Sequence, residues 1–159
     1  MRDIRVGLGF DVHPFSDDAA RPLVLGGVTL AGERGLAGHS DADVVAHAVA
    51  DAVLGACGLG DLGQHFPDTD PAWAGADSLD ILTRVAALAA DEGWCTANAD
   101  CTVVLEAPKL APHRPEMARR LTAALGAAVS VKASRAEGLG AIGRGEGVAC
   151  WAVVLVARS

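Results

Sequence analysis

Side chains of an extended segment point alternately to opposite faces, and the first run that behaves this way is Ile4 to Val12, rich in β-branched and apolar residues with glycines at positions 7 and 9. It predicts a strand. At its end Phe10 and Val12 share one face, while Asp11 and His13 share the other. A loop follows from Pro14 to Pro22. Two apolar triplets, Leu23 to Leu25 and Val28 to Leu30, flank Gly26-Gly27 and predict a tight hairpin, and the glycine-rich stretch Ala31 to Gly38 is a loop. The period then lengthens. From a cap at Ser40 or Asp41 to about Cys57 the spacing predicts a helix, with Asp43 in its first turn and Val45, Val49, Ala52 and Ala56 as an apolar stripe. Asp43, His47 and Asp51 recur every four residues on another face of it.

Gly58 to Pro71 reads as an ordered loop with Asp61, Asp68 and Asp70 at its tips, the kind of segment that carries ligand contacts. Asp77 or Ser78 caps a second helix running to about Asp91, buried through Leu82, Val85, Ala86, Leu88 and Ala89. Cys95 to Leu105 predicts a second long strand. A third helix starts at Pro112 or Pro115 and ends near Leu125-Gly126. Val129 to Ala133 predicts a short strand, and Val148 to Ala157 one buried on both faces. Between these last two, Glu137 to Gly147 holds five glycines, which permit close backbone approach to an anion and equally suit bare turns.

A length of 159 residues fits a single domain spanning 1–159, and chains of ~150 residues bury about 70% of their unfolded surface. With 51% hydrophobic and 4% aromatic residues, the core must be built mainly of Ala, Val and Leu. The net charge of −7 argues against nucleic acid or an anionic membrane as the main partner. A phosphate ligand would therefore need metal ions and local backbone donors. Cys57, Cys95, Cys101 and Cys150 form neither a C-x-x-C pair nor a disulfide framework and read as small buried residues of a reducing compartment. Met1 to Arg5 shows no signal-peptide apolar region, and Val148 to Ala157 is too short to span a bilayer as a helix, so the expected location is the cytoplasm.

The candidate chemistry begins with Asp11 and His13, which form half of a zinc or manganese site because a strand holds i and i+2 at a fixed separation. His47 is the natural third ligand, and Asp51, one helical turn on, is placed to accept from its second ring nitrogen. The competing reading is an exposed polar ladder on the helix. No G-x-x-x-x-G-K-[ST] string or dinucleotide fingerprint is present.

Taken together, Gly9-Phe10-Asp11-Val12-His13, His39-Ser40-Asp41-Ala42-Asp43-Val44 with His47, Gly60-Asp61-Leu62-Gly63, Phe66-Pro67-Asp68-Thr69-Asp70, Ala107-Pro108-Lys109 and Gly143-Arg144-Gly145-Glu146-Gly147 resemble the 2-C-methyl-D-erythritol 2,4-cyclodiphosphate synthase family of the non-mevalonate isoprenoid pathway. The blocks occur in order from about residue 4 to residue 157. The resemblance implies an α/β (α+β) single domain, a mixed β-sheet backed by helices, assembling as a homotrimer with active sites at subunit boundaries. It implies a lyase that cyclises 4-diphosphocytidyl-2-C-methyl-D-erythritol 2-phosphate with release of CMP. By the same resemblance, Asp11, His13 and His47 hold one zinc ion per subunit, and Glu137 helps hold magnesium or manganese on the substrate diphosphate. His39 and Ser40 contact the 2-phosphate; Asp61 and Gly63, with Phe66, Asp68, Thr69 and Asp70, line the methylerythritol side. Ala107, Pro108, Lys109 and Leu110, with Ser134, Arg135 and Glu137, form the cytidine and diphosphate pocket, Lys109 through its backbone.

Three positions depart from the family pattern. Arg135 stands where a transition-state threonine is usual, and a guanidinium suits the same developing charge or points to solvent. Ala141 and Ile142 replace Phe and Thr near Arg144 and Glu146, which in related trimers line a central cavity able to hold prenyl diphosphates. Here the first reading of Arg144 and Glu146 is an inter-subunit ion pair. Two other functions share these features: a zinc-dependent phosphohydrolase, which would need an activated water, and a non-catalytic trimeric module binding prenyl diphosphate or a partner protein.

Overall fold

The structure, a computed structural model, describes residues 3–158; Met1, Arg2 and Ser159, the ends of the expected 1–159 domain, lie outside the described residues. In chain order the elements are β1 (Ile4–Pro14), β2 (Leu23–Leu25), β3 (Val28–Leu30), α1 (Val44–Cys57), α2 (Leu62–His65), a 3-10 turn (Pro71–Trp73), α3 (Ser78–Asp91), β4 (Trp94–Val104), α4 (Arg114–Leu125), β5 (Ala128–Ser134), α5 (Gly140–Gly143) and β6 (Gly147–Arg158). Four strands make one mixed sheet in the order β1-β6-β4-β5, antiparallel except for the parallel β4–β5 pair. β2 and β3 form the separate hairpin that Gly26-Gly27 predicted. The parallel pair is joined through α4, as a crossover requires.

One face of the sheet carries α1, and the contact is close because β1 has no side chains at two points. A Cβ on Gly7 would fall 1.9 Å from the carbonyl oxygen of Ala52, and one on Gly9 1.9 Å from that of Ala48. Strand backbone therefore lies directly on helix backbone. This seating buries α1 almost all round, Asp51 and Gly55 being its residues outside the buried set. The exposed polar ladder expected on that helix is not there: Asp43 is fully buried and His47 nearly so. Nor does Asp43 lie in the first turn. It is the N-cap itself, in place of Ser40 or Asp41, accepting from Val45 N and Ala46 N, and it also takes Gly26 N at 2.9 Å and Gly27 N at 2.6 Å. One carboxylate thus caps the helix and pins the hairpin turn to it.

The second strip of sheet is less enclosed than β6 predicted. After four buried residues, Gly147 to Cys150, β6 alternates between buried and more exposed positions, with Trp151 and Val153 outward. They join Ile4, Val6, Leu8, Phe10 and Val12 of β1, because the register sets Phe10 opposite Trp151 and Leu8 opposite Val153. A period-2 strand covered on one face only cannot bury both sets. Of the cysteines, Cys57, Cys101 and Cys150 are buried and Cys95 is exposed, contrary to expectation; all four are free thiols. No helix among the described residues is long and apolar enough to cross a membrane.

Candidate active site

β1 delivers Asp11 and His13 from the face that looks toward α1, and α1 delivers His47 from its first turn. The ligating atoms of the three side chains lie within 4.8 Å of one another. Asp11 Oδ2 stands 3.2 Å from His13 Nε2 and 3.0 Å from His47 Nδ1. His13 Nδ1 is 2.7 Å from the Ala37 carbonyl oxygen, which can only accept, so Nδ1 carries the ring hydrogen and Nε2 offers a lone pair toward Asp11. A carboxylate and imidazole lone pairs converging on one point need positive charge between them. Two nitrogens and one oxygen on one side of that point are a donor set that zinc accepts, with the fourth direction left for another ligand.

The electrostatics carry the same message. Burial pushes the Asp11 carboxyl up, but the two imidazoles beside it outweigh burial and hold it well below the ordinary carboxylate range. Burial works against charge on His13, yet Asp11 outweighs it and raises the imidazole above its usual 6.5. Desolvation pushes Asp43 up to about 6, opposed by its backbone N–H donors.

Asp51 does not meet His47. Its carboxylate accepts Leu62 N at 3.2 Å, holding the start of α2 against α1. The second nitrogen of His47, Nε2, lies 2.8 Å from Ser78 Oγ and 3.2 Å from Ser40 Oγ. Ser78 was visible in the sequence only as an alternative cap for α3, whose cap is Asp77. Nothing in sequence spacing links two residues 31 positions apart.

Next to the three ligands is a cavity of about 250 Å³ lined by His13, His39, Ser40, His47, Phe66 and Asp68 among others. Its rim is the loop 58–71, ordered by α2 and the 3-10 turn; Trp73 packs edge-on against Phe66 at 4.9 Å. Asp61 caps α2, Gly63 lies within that helix, and Asp70 caps the 3-10 turn after Thr69 while its carbonyl accepts from His39 Nε2 at 3.0 Å. Asp61, Gly63, Thr69 and Asp70 do not line the cavity. A second cavity of about 250 Å³ is lined by Pro108, Lys109, Leu110, Ser134 and Arg135, with Glu106 and Arg114. Ala107 opens instead into a neighbouring hollow beside Phe15 and Gly145.

Glu106, not singled out in the sequence, organises the rim of the second cavity. Its Oε2 takes Arg135 Nε at 3.0 Å and Nη2 at 2.8 Å, and its Oε1 takes Ala136 N at 2.9 Å. Arg135 is therefore neither free nor simply in solvent. Glu137, with φ of 52°, and Ala42, with φ of 58°, are the non-glycine residues in the left-handed region among the described residues, a costly conformation that clusters at functional sites. Glu137, Ala141 and Arg144 are exposed and line neither cavity. Within the chain, Arg144 and Glu146 pair with each other at 2.6 Å.

Residues 4–157 match the model of the YgbB family. The chain belongs to the YgbB family. The 2-C-methyl-D-erythritol 2,4-cyclodiphosphate synthase of Symbiobacterium thermophilum is 56% identical over 155 residues, covering 96% of this chain and 98% of that protein. The enzyme of the same name from Geobacillus kaustophilus is 55% identical over 158 residues, covering 98% and 99%. Among solved structures, the bifunctional IspDF of Campylobacter jejuni superposes with a TM-score of 0.94 at 38% identity, over the whole of this chain and 43% of that one. This chain thus spans less than half of that protein. The CDP complex of IspF from Plasmodium falciparum gives 0.85 at 29% identity, over 100% of this chain and 99% of that one. The resemblance drawn from the motif blocks is borne out, and with it the mixed-sheet α/β fold of the YgbB family.

Proposed function

We propose that the chain is a 2-C-methyl-D-erythritol 2,4-cyclodiphosphate synthase. It converts 4-diphosphocytidyl-2-C-methyl-D-erythritol 2-phosphate to the cyclic 2,4-diphosphate and CMP, as a cytoplasmic enzyme of isoprenoid precursor synthesis. The observation that carries this reading is the convergence of Asp11, His13 and His47 beside the cavity that holds His39 and Ser40, in a chain with relatives of that name. An oxygen of the 2-phosphate attacks the β-phosphorus; the new P–O bond forms as the bond to the CMP oxygen breaks. The nucleophile is already anionic, so no side-chain base is needed, and catalysis rests on positioning and charge stabilisation.

Asp11, His13 and His47 hold the zinc, and Glu137 supports magnesium or manganese at the diphosphate; these ions supply Lewis-acid stabilisation of phosphoryl oxygens. Ser40 Oγ accepts from Ala42 N at 3.1 Å, so its own O–H remains available to donate to the 2-phosphate. His39 gives Nε2–H to the Asp70 carbonyl oxygen, which holds its ring beside the cavity that takes the 2-phosphate. The second cavity takes the cytidine, with Lys109 contributing backbone. Arg135 presents to the diphosphate the guanidinium edge that Glu106 does not hold.

The proposed residues fall in two separate cavities of one chain, and Glu137 lines neither, which supports completion of each site by a neighbouring copy. The outward strip of β1 and β6 gives the copies a surface to share. Leu8 and Val6 are each 66% exposed on it, and Phe10 lies 4.9 Å from Trp151, a row of exposed apolar side chains of the kind that marks an interaction surface. We assign it to the homotrimer. Loss of the aromatic at Ala141 removes the prenyl-contacting wall expected at the trimer axis.

A phosphorus NMR time course with the cytidyl diphosphate substrate tests the reading. Cyclic diphosphate with stoichiometric CMP, abolished by chelator and restored by zinc with magnesium, is the expected result. Linear phosphate products would make the chain a phosphohydrolase, and no turnover from folded, metal-loaded protein would make it a binding module.

A further inference from the structure

We propose that Ser78, backed by Asp41, is a positioning residue of the metal centre: it fixes which ring nitrogen of His47 faces Asp11. The inference rests on the metal reading of Asp11, His13 and His47 and extends it to two residues outside that ligand set. His47 Nε2 is 2.8 Å from Ser78 Oγ. The same hydroxyl meets Asp41 Oδ1, and the other oxygen of that carboxylate takes Ser78 N at 3.1 Å. A carboxylate only accepts, so the Ser78 proton is given to Asp41 and an oxygen lone pair is what His47 meets. Nε2 must then carry the ring hydrogen. Nδ1 is left with the lone pair, aimed at Asp11 Oδ2 3.0 Å away, where a metal ion needs it.

Without this arrangement the ring has a better alternative. The Asp11 carboxylate is the strongest acceptor near His47, and a hydrogen on Nδ1 would satisfy it directly. That tautomer blocks the position a metal must occupy. Ser40 Oγ, at 3.2 Å, is a longer contact and already accepts from Ala42 N. Ser78 is 1% exposed, so solvent does not substitute for its hydroxyl. Nor is that hydroxyl needed to start α3, since Asp77 caps the helix by accepting Leu79 N at 2.8 Å. The chain Asp41–Ser78–His47 orients the imidazole and, by placing a carboxylate behind the hydroxyl, increases the basicity of Nδ1.

The test uses the full-length protein with Ser78→Ala, Ser78→Cys and Ser78→Thr. Zinc affinity is measured by competition with a chromophoric chelator, and the His47 tautomer by nitrogen-15 shifts of the metal-free protein at pH 8. Ser78→Ala should weaken zinc binding about 10- to 100-fold, the usual cost of losing such a partner, and move the ring hydrogen toward Nδ1. Ser78→Cys, which keeps the volume but is a weak acceptor, should follow it, and Ser78→Thr should stay within about threefold of the native protein. Native zinc affinity in both Ser78→Ala and Ser78→Cys, with the hydrogen still on Nε2, would overturn the proposal. Native protein that bound no zinc would overturn the metal reading itself, an outcome told apart because its tautomer spectrum would still show the Nε2 hydrogen.

Discussion

Of the two glycines that seat β1 on α1 at 1.9 Å, Gly9 is the one two residues from Asp11, which makes Gly9→Ala the most informative perturbation. A Cβ at position 9 would stand 1.9 Å from Ala48 O and 2.6 Å from Ala52 N. Ordinary contact begins at 3.4 Å, so the shortfall is about 1.5 Å, and both sides of it are backbone in regular structure. No rotamer change relieves it; β1 and α1 must move apart. Overpacking of this kind costs about 1–3 kcal/mol, and with backbone on both sides the upper end applies, on the order of 6–12 °C in Tm for a chain of this size. The same separation pulls Asp11, two residues along β1, from His47, next to Ala48 on α1. Metal sites tolerate about 0.2 Å in ligand distance, so zinc affinity should fall by tenfold or more. Gly55→Ala on the same helix is the control, since a Cβ there meets nothing within 4 Å, and it should stabilise by ~0.5–1 kcal/mol. Calorimetry and zinc titration of both variants decide the matter. A Gly9→Ala protein with native Tm and native zinc affinity would refute the strand-on-helix account of the site.

Asp43→Ala removes the acceptor of four backbone N–H groups in a fully buried position, so chemical denaturation should show a loss of about 3–5 kcal/mol, beyond the ~1 kcal/mol of an ordinary N-cap. In metal-free protein, Asp11 contributes stability above its unfolded pKa of 3.8, because its folded value is lowered, and His13 contributes below 6.5, because its folded value is raised. Melting temperature should therefore be highest between these limits and decline as pH rises through the folded pKa of His13, whereas zinc affinity, which requires a neutral imidazole, should rise over the same range. Leu8→Asp places a charge on the outward apolar strip, and sedimentation should report a monomer in place of the proposed trimer; a trimer retained would place the interface elsewhere. Arg135→Ala should lower turnover at least tenfold, on the order of 1.4 kcal/mol, and an unchanged rate would restrict Arg135 to its pairing with Glu106.

Local periodicity was enough for the elements: β1, the Gly26-Gly27 turn, α1, α3, β4, α4 and β5 lie within a few residues of where the spacing puts them. It also pointed to the three candidate ligands, since a strand fixes Asp11 beside His13 and His47 lies in the first turn of α1, the helix packed on that strand. What periodicity could not give was the surroundings of each group. A wheel of α1 puts Asp43 and His47 on a polar face, yet the face is buried, because Gly7 and Gly9 admit the helix against bare strand backbone and the hairpin closes over its start. The polar residues there are not solvated; they are satisfied internally, four N–H groups on Asp43 and two hydroxyls near His47.

The Asp51 expectation failed for the same reason. One helical turn of separation guarantees that two side chains share a face, but His47, on a buried helix, finds its partner across the packing interface in Ser78 of α3. The rule that follows concerns where to look. When glycines in a strand bring it onto a helix, the orienting partners of residues at that contact come from the element on the helix's other side, because the strand side is already occupied by the ligands themselves. In this chain that element is α3, whose first residue faces His47 while Asp41, in the loop leading into α1, ties the two helices together through Ser78. The proposed metal centre and the packing of α1 against α3 then share Ser78, and a substitution there should lower zinc affinity more than it lowers stability.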